Sequence, residues 1–269
     1  MLFRAKELKS TCVVNLEGRK TNLASVRARG LPVCKQSPER SGSLAIVASG
    51  PSVRDHLDEL RNWPDDVWAI NGAYDYLLGN GIVPAGFFAL DPLPGLAEYL
   101  QHPNPATTFY LASTCAVEAF DALAGHKVEV FHPADDGMEF PGEWIIGGGT
   151  TALTRVPYLA LLHGWRDITV FGADSSYDGR EYCYEWGTYA LDIAQPKMNI
   201  SINGEGPFET ELGLMKQVSQ LWVISNIINK KRPILKFKCR GLLAAFMRAP
   251  TLDDSVIERV EDDERTDAA

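Results

Sequence analysis

From Ser43 onward, short apolar runs alternate with stretches whose apolar residues recur at helical spacing. Leu44-Ala45-Ile46-Val47-Ala48 is apolar throughout and stops at Ser-Gly-Pro, the pattern of a strand buried on both faces. The following SVRDHLDELRN puts Val53, Leu57 and Leu60 on one helical face, and Ser52 with Asp55 three residues on reads as a capping-box-like start. Val67–Ile70 reads as a second strand, and AYDYLLGNG as a short helix closed by Gly81. Further strands are expected at Phe87–Leu90, Thr108–Ala112, Val128–Phe131 and Asp167–Phe171, with a helix over Thr151–His163 kinked at Pro157. Residues 173–205 are rich in Tyr, Gly, Asn and Asp and show no period, so a long functional loop or lid is expected there. Glu209–Asn229 is amphipathic through Leu212, Met215, Val218, Leu221, Trp222 and Ile228; Ile234–Cys239 reads as a strand and Leu242–Arg248 as a short helix.

Repeated strand–helix units predict an α/β fold, a Rossmann-like three-layer sandwich with a mostly parallel sheet. The chain of 269 residues has ample sequence for one packed core and shows no repeat of fixed period. The expected organisation is a basic arm over 1–42, the Rossmann-like domain over 43–250 and an acidic disordered tail over 251–269. Charge draws these limits: residues 1–40 hold nine Lys/Arg against three Glu, and residues 252–269 hold eight Asp/Glu against two Arg. A solvated arm is the commoner meaning of such a basic stretch. Without interleaved aromatics it is thin support for nucleic acid as a partner. There is no run of 18 apolar residues and no apolar leader, so the expectation is a soluble cytoplasmic protein without a membrane span, with room for a homo-oligomer. The five cysteines include no CxxC and read as free thiols rather than a disulfide framework or structural zinc.

In parallel sheets ligands bind at the carboxyl ends of the strands, where strand order switches. The residues that follow the expected strands are therefore the candidates: Ser49-Gly50-Pro51-Ser52, Asn71-Gly72, Asp91-Pro92, Ser113-Thr114, His132-Pro133 and Gly172-Ala173-Asp174. Gly50, Pro51 and Ser52 enter a helix, so their backbone N–H groups and the Ser52 hydroxyl suit a phosphate; a plain strand-to-helix turn is the alternative. Gly147-Gly148-Gly149-Thr150-Thr151 forms a second anion-ready helix start, or a hinge. Asp91 and Asp174 each follow an apolar strand and suit Mg²⁺, a ribose or a proton, or else cap a turn. Asn71 suits a base or sugar, or an Asx turn. His132 offers an acid or base, or a turn; His163 suits a helix end. Tyr177, Tyr182, Tyr184 and Trp186 offer stacking or phosphate contacts, or loop packing. Asp135, Asp136 and Glu209 read as solvated or capping carboxylates.

Taken together, VASGPSV (47–53), AINGAYDYLLGNGIVPAGFFALDP (69–92), GGGTTA (147–152) and ITVFGAD (168–174) resemble the 6-hydroxymethylpterin diphosphokinase MptE-like family over about residues 43–248. The resemblance implies a Rossmann-like fold and Mg²⁺-dependent transfer of diphosphate from ATP to a hydroxymethyl acceptor. Asp91 and Asp174 would then hold the metal or orient the acceptor. Gly50, Pro51, Ser52, Gly148, Gly149, Thr150 and Thr151 would hold phosphates, and Asn71 the nucleoside. Some relatives look like accessory proteins in surface-sugar pathways. The layout is also similar to bacterial CMP-sialic-acid-dependent sialyltransferases, which implies a metal-free CMP-sugar donor with Tyr182 and Tyr184 on the nucleotide phosphate. The general-base His of those enzymes has no counterpart in Met198–Glu205. A third reading is a non-enzymatic nucleotide-binding or assembly protein.

Overall fold

The computed structural model describes residues 14–179, 182–183 and 196–249, with the backbone of 257–260. Its strands are β1 (Leu44–Val47), β2 (Asp66–Ile70), β3 (Gly86–Ala89), β4 (Thr108–Ala112), β5 (Lys127–Pro133), β6 (Ile145–Ile146), β7 (Ile168–Phe171), β8 (Lys197–Ile202), β9 (Glu205–Glu211), β10 (Leu235–Lys238) and β11 (Ile257–Val260). The helices are α1 (Leu16–Ala28), α2 (Leu57–Arg61), α3 (Ala73–Gly79), α4 (Val117–Ala122), α5 (Ala152–Leu162), α6 (Leu212–Ile228) and α7 (Gly241–Arg248). Eight strands form one sheet in the order β10-β7-β1-β2-β3-β4-β5-β6, with every pairing parallel. The expected Rossmann-like α/β sandwich is therefore the fold.

Continuous apolar runs become the central strands because helices cover both faces: β1, β3 and β7 are buried at every position. Phe88 and Phe131 stack at 4.8 Å across β3 and β5, and α5 buries nine of its eleven residues on its way from β6 to β7. After β1 the chain runs outward through β6, then crosses back to place β7 on the other side of β1. The β1/β7 junction is thus the point of strand-order reversal, where such sheets open a crevice.

Four expectations are corrected. First, the basic arm belongs to the domain from Val14 onward. Asn15 caps α1, which buries Leu23 and Val26 and sits over the carboxyl ends of β3 to β5. Its Asn22 Nδ2 donates to the carbonyls of Pro92 (3.3 Å) and Thr114 (3.0 Å), and Arg19 and Arg27 pair with Asp135 (3.3 Å) and Glu143 (2.9 Å). The next residues seal the edge of β5: Val33 bridges Val130, and Cys34 N–H donates to the Val130 carbonyl at 2.8 Å. The basic side chains had masked the helix's narrow apolar stripe. Second, the expected lid contains an antiparallel hairpin, β8–β9, turned by Asn203 and Gly204 at φ 51° and 78°. Asn-Gly between two extended runs is the strongest short hairpin signal, so this one was readable. Third, α6 starts at Leu212 because Glu209–Glu211 complete β9. Fourth, part of the tail expected to be disordered forms β11, antiparallel to β8.

No helix among the described residues is long and apolar enough to cross a membrane.

The docking of α1 gives a direct test. Replacing Asn22 with Ala leaves two carbonyls at the strand ends without their donor, which should cost about 1–2 kcal/mol by urea denaturation. A free arm would leave the midpoint within about 0.5 kcal/mol of the parent.

Candidate functional site

The β1 and β7 tips are locked together at the strand-order switch. Gly50 N–H donates to the Gly172 carbonyl at 2.9 Å, and a Cβ on Gly50 would lie 2.3 Å from that oxygen. Gly172 itself sits at φ +69°, where a Cβ would meet Val53 Cγ2 at 2.3 Å, so both positions need glycine. Beyond them lies the Asp174 carboxylate, 3% exposed. It accepts from Ser52 N–H (2.7 Å), Ser52 Oγ (2.5 Å) and Arg240 N–H (2.9 Å). Burial pushes the Asp174 pKa above the usual aspartate value, and the Ser52 donors and Arg240 pull it part of the way back.

This geometry corrects the reading of the first loop. Pro51–His56 is a 3-10 turn capped by no side chain, and Ser52, fully buried, spends its hydroxyl on Asp174 instead of capping a helix or facing a phosphate. The residues after Asp174 extend the lock. Ser175, at φ 54°, accepts at its carbonyl from Thr210 Oγ1 (2.9 Å) and at Oγ from Gln217 Nε2 (3.1 Å). Leu242 N–H donates to Ser176 Oγ at 3.1 Å. β9, α6 and α7 are thereby tied to one strand end.

Asp91 does not join Asp174. Three strand spacings separate β3 from β7, about 14 Å. Asp91 Oδ1 instead accepts from Leu93 N–H at 2.9 Å, an Asx turn. Mg²⁺ holds its oxygens at about 2.1 Å, so these carboxylates do not fit a shared ion.

The Gly148–Thr151 loop is also engaged from within. Gln220 Oε1 accepts from Thr150 N–H (3.0 Å) and Thr150 Oγ1 (3.3 Å), and Gln217 Oε1 accepts from Thr151 Oγ1 (2.9 Å). A Cβ on Gly149 would lie 2.1 Å from Gln220 Oε1. Thr151 and Thr154 form a capping box at the start of α5, and Arg155 Nε donates to the Gly149 carbonyl. Neutral amide oxygens of α6 thus take the donors expected to hold a phosphate.

The other candidates divide between the crevice and elsewhere. Asn71, between the β1 and β3 tips, adopts φ 47°, and its Oδ1 is buried without a hydrogen-bond partner. Asp75 Oδ1, in the first turn of α3, is likewise buried and unpartnered, and burial raises its pKa. Tyr182 reaches the β1 tip: Arg54 donates to the carbonyls of Tyr182 (2.8 Å) and Cys183 (3.0 and 3.1 Å), while Cys183 N–H donates to the Ser49 carbonyl (2.8 Å). Tyr177 lies on the hairpin, its N–H on the Glu209 carbonyl and its ring under Lys197 Nζ at 4.4 Å. Tyr184 and Trp186 fall outside the described residues. Ser113, Thr114 and His132 are buried on the β4–β5 side, where α1 docks, and Asp135 pairs with Arg19 and Arg155. His163 ends α5 as expected. Sequence reasoning missed Arg54, Gln217, Gln220 and Arg240, because nothing local to a side chain announces a partner supplied by strand order.

The family model described as 6-hydroxymethylpterin diphosphokinase MptE-like matches residues 20–180, from within α1 past the end of β7. Among solved structures, the MAf glycosyltransferase from Magnetospirillum magneticum AMB-1 is similar at TM-score 0.62 and 17% identity, covering 87% of this chain and 39% of that one. The chain therefore spans about two fifths of that glycosyltransferase's length, and the likeness is one of fold. A mammalian sialyltransferase, in complex with Gal-beta-1-3GalNAc-ortho-nitrophenol, covers 87% of this chain and 90% of its own at 10% identity and TM-score 0.41. A search of the curated proteins finds no match.

The raised pKa of Asp174 gives a signed prediction. The native state holds this proton more tightly than the unfolded state, so its contribution to stability falls as pH rises from 3.8 through the raised value, then levels off. An Asp174→Asn variant lacks that fall. In urea denaturation from pH 4 to 7, the wild type's advantage over the variant should be largest at pH 4 and shrink toward pH 7. A gap independent of pH would show that the carboxyl is not shifted.

Proposed function

Because the chain belongs to the 6-hydroxymethylpterin diphosphokinase MptE-like family, we propose that it is a transferase taking a nucleotide-activated donor over the carboxyl ends of β1 and β2. The observation that carries this reading is Asn71. A left-handed backbone at a residue other than glycine and a buried acceptor without a partner are two separate penalties, and one side chain beside the switch point bears both. Its Oδ1 suits an N–H or O–H donor from a base or ribose, and its Nδ2 can donate to the same ligand.

Two donor chemistries are compatible with the family. Diphosphate transfer from ATP to a hydroxymethyl acceptor, which the family's description suggests, calls on Mg²⁺ and on several donors for three phosphates. The Asp91–Asp174 pair does not fit that ion, and the donors of Ser52, Thr150 and Thr151 are directed to Asp174, Gln220 and Gln217. A CMP-sugar donor presents one phosphate, and the acceptor oxygen bonds to the anomeric carbon as CMP leaves, a step that does not call on that metal pair. The geometry therefore favours glycosyl transfer from a nucleotide sugar, with Asn71 on the nucleoside and the Tyr182–Cys183 segment, held by Arg54, beside the phosphate. The fold shared with a glycosyltransferase supports the same reading.

The test is a thermal-shift panel of CMP, a CMP-sugar and ATP, each with and without Mg²⁺, on wild type and Asn71→Gly. Glycine relieves both the backbone strain and the unpartnered oxygen, so the unliganded midpoint should rise rather than fall. CMP at 100-fold above its Kd should stabilise the wild type by about 2.7 kcal/mol without metal. The variant should bind about 10- to 100-fold more weakly, the loss of a hydrogen bond in a desolvated site. Stabilisation by ATP only with Mg²⁺, and none by CMP, overturns the sugar-donor reading in favour of diphosphate transfer. No shift with any nucleotide overturns the transferase reading.

A further inference from the structure

A second set of chemistry-bearing side chains lies away from the crevice, where the N-terminal segment meets the sheet. Cys34 follows α1, Glu129 stands in the middle of β5, and His163 ends α5. A sulfur, a carboxylate oxygen and a ring nitrogen from these three residues all lie within 4.8 Å of one another. Among the described residues this is the one group of three His, Cys, Asp or Glu side chains that does so.

The backbone fixes each donor independently. The Cys34 N–H bond to the Val130 carbonyl sets the thiol beside Glu129, whose Oε2 is 3.8 Å from Cys34 Sγ. The imidazole is held between rings, with its centroid 5.8 Å from that of Trp68 and 4.9 Å from that of Tyr110. Arg40, next along the segment, donates from its N–H to the Gly164 carbonyl (2.8 Å) and from Nε to the His163 carbonyl (3.1 Å). Its guanidinium packs over Trp165 and lies 3.6 Å from Asp66.

As it stands the thiol donates to the Glu129 carboxylate and the imidazole is the member left without a partner. Cys34 is 1% exposed and His163 6% exposed, and His163 Nε2 is buried without a hydrogen-bond partner. Thiolate sulfur, imidazole nitrogen and carboxylate oxygen are the three donor types that Zn²⁺ takes, at about 2.3, 2.0 and 2.1 Å. Tetrahedral coordination at those lengths spaces the donor atoms roughly 3.3–3.7 Å apart, so small side-chain rotations bring this set together. One thiolate and one carboxylate would neutralise the dication, and the sulfur selects against Mg²⁺ and Ca²⁺.

We propose that Cys34, Glu129 and His163 bind one Zn²⁺, with water in the fourth position, and that the ion staples the N-terminal segment to β5 and α5. Binding releases the Cys34 proton to solvent and needs no other reactant. The site is independent of the transferase reading, because none of its three donors stands at the strand ends that carry Asn71, Ser52 and Asp174.

The experiment uses the full chain without a histidine tag, expressed in zinc-supplemented medium and purified without chelator. Elemental analysis should find about one zinc per chain. Exchange into Co²⁺ should give a thiolate-to-metal charge-transfer band in the near ultraviolet. That band should be absent in Cys34→Ser, at least tenfold weaker in metal affinity for His163→Gln, and unchanged in Cys239→Ser. Should the Cys34 and His163 variants fail to fold, the wild-type zinc content and the cobalt spectra of wild type and Cys239→Ser decide. Less than about a tenth of an equivalent of zinc, with no charge-transfer band from folded wild type, overturns the proposal. So does a band that survives Cys34→Ser.

Discussion

The crevice end of the sheet depends on one buried anion. Asp174 leaves β7 with its carboxylate enclosed, and the three groups that satisfy it come from the turn after β1 and the start of α7. A buried carboxylate without donors is too costly to keep, so those donors cannot drift. Their positions set those of the neighbours. The Ser52 donors draw the β1 turn against β7 until Gly50 and Gly172 touch backbone to backbone, and Arg240 aligns α7. Strand-order reversal would otherwise leave a gap at this junction. Here that junction is closed by the lock, and Asn71 stands one strand further on, directly after β2.

A second constraint bounds the crevice from the other side. α1 lies over the carboxyl ends of β3 to β5, and its Asn22 reaches two of the strand ends. Ser113, Thr114 and His132 are consequently core residues, although they follow strands as directly as Asn71 does. The part of the edge that α1 does not cover is the short stretch over β1 and β2. The segments that close it come from late in the chain: Gln217 and Gln220 from α6, Arg240 from the start of α7. Sheet and closure are one cooperative unit, since the loop before α5 is held by α6 as well as by its own capping box.

The fold was legible because a parallel sheet buried on both faces writes each central strand as an uninterrupted apolar run. Leu44–Val47, Val67–Ile70 and Ile168–Phe171 needed no context. Elements with one wet face were harder. α1 carries only Leu23 and Val26 inward, and β8 and β9 are half exposed, so charge and polarity hid them even though Asn203-Gly204 marked the turn. The candidate site was legible as a set of positions and illegible as a set of roles. Ser52, Asp91, Asp174 and Gly148–Thr151 all sit at strand ends or helix starts, as their spacing says. Which of them meet is decided by strand order: a β7–β1 contact joins Asp174 to Ser52, while two intervening strands keep Asp91 away.

Strain then separates the residue that serves the fold from the one that serves a ligand. Asp174 is buried and charged but fully donated to, and removing it would loosen three elements. Asn71 is the reverse case. Its left-handed backbone costs about 1–2 kcal/mol relative to an ordinary conformation, and its buried amide oxygen, lacking a donor, adds a penalty of about 1–3 kcal/mol. Its backbone hydrogen bonds, from its N–H to the Phe88 carbonyl and from Tyr74 N–H to its carbonyl, would be made equally well by glycine. A fold marginally stable by a few kcal/mol gains nothing from holding that side chain there. The proposed nucleoside would supply the donor that Asn71 Oδ1 lacks, a role the glycine-rich loop before α5, already engaged by Gln217 and Gln220, is not placed to take.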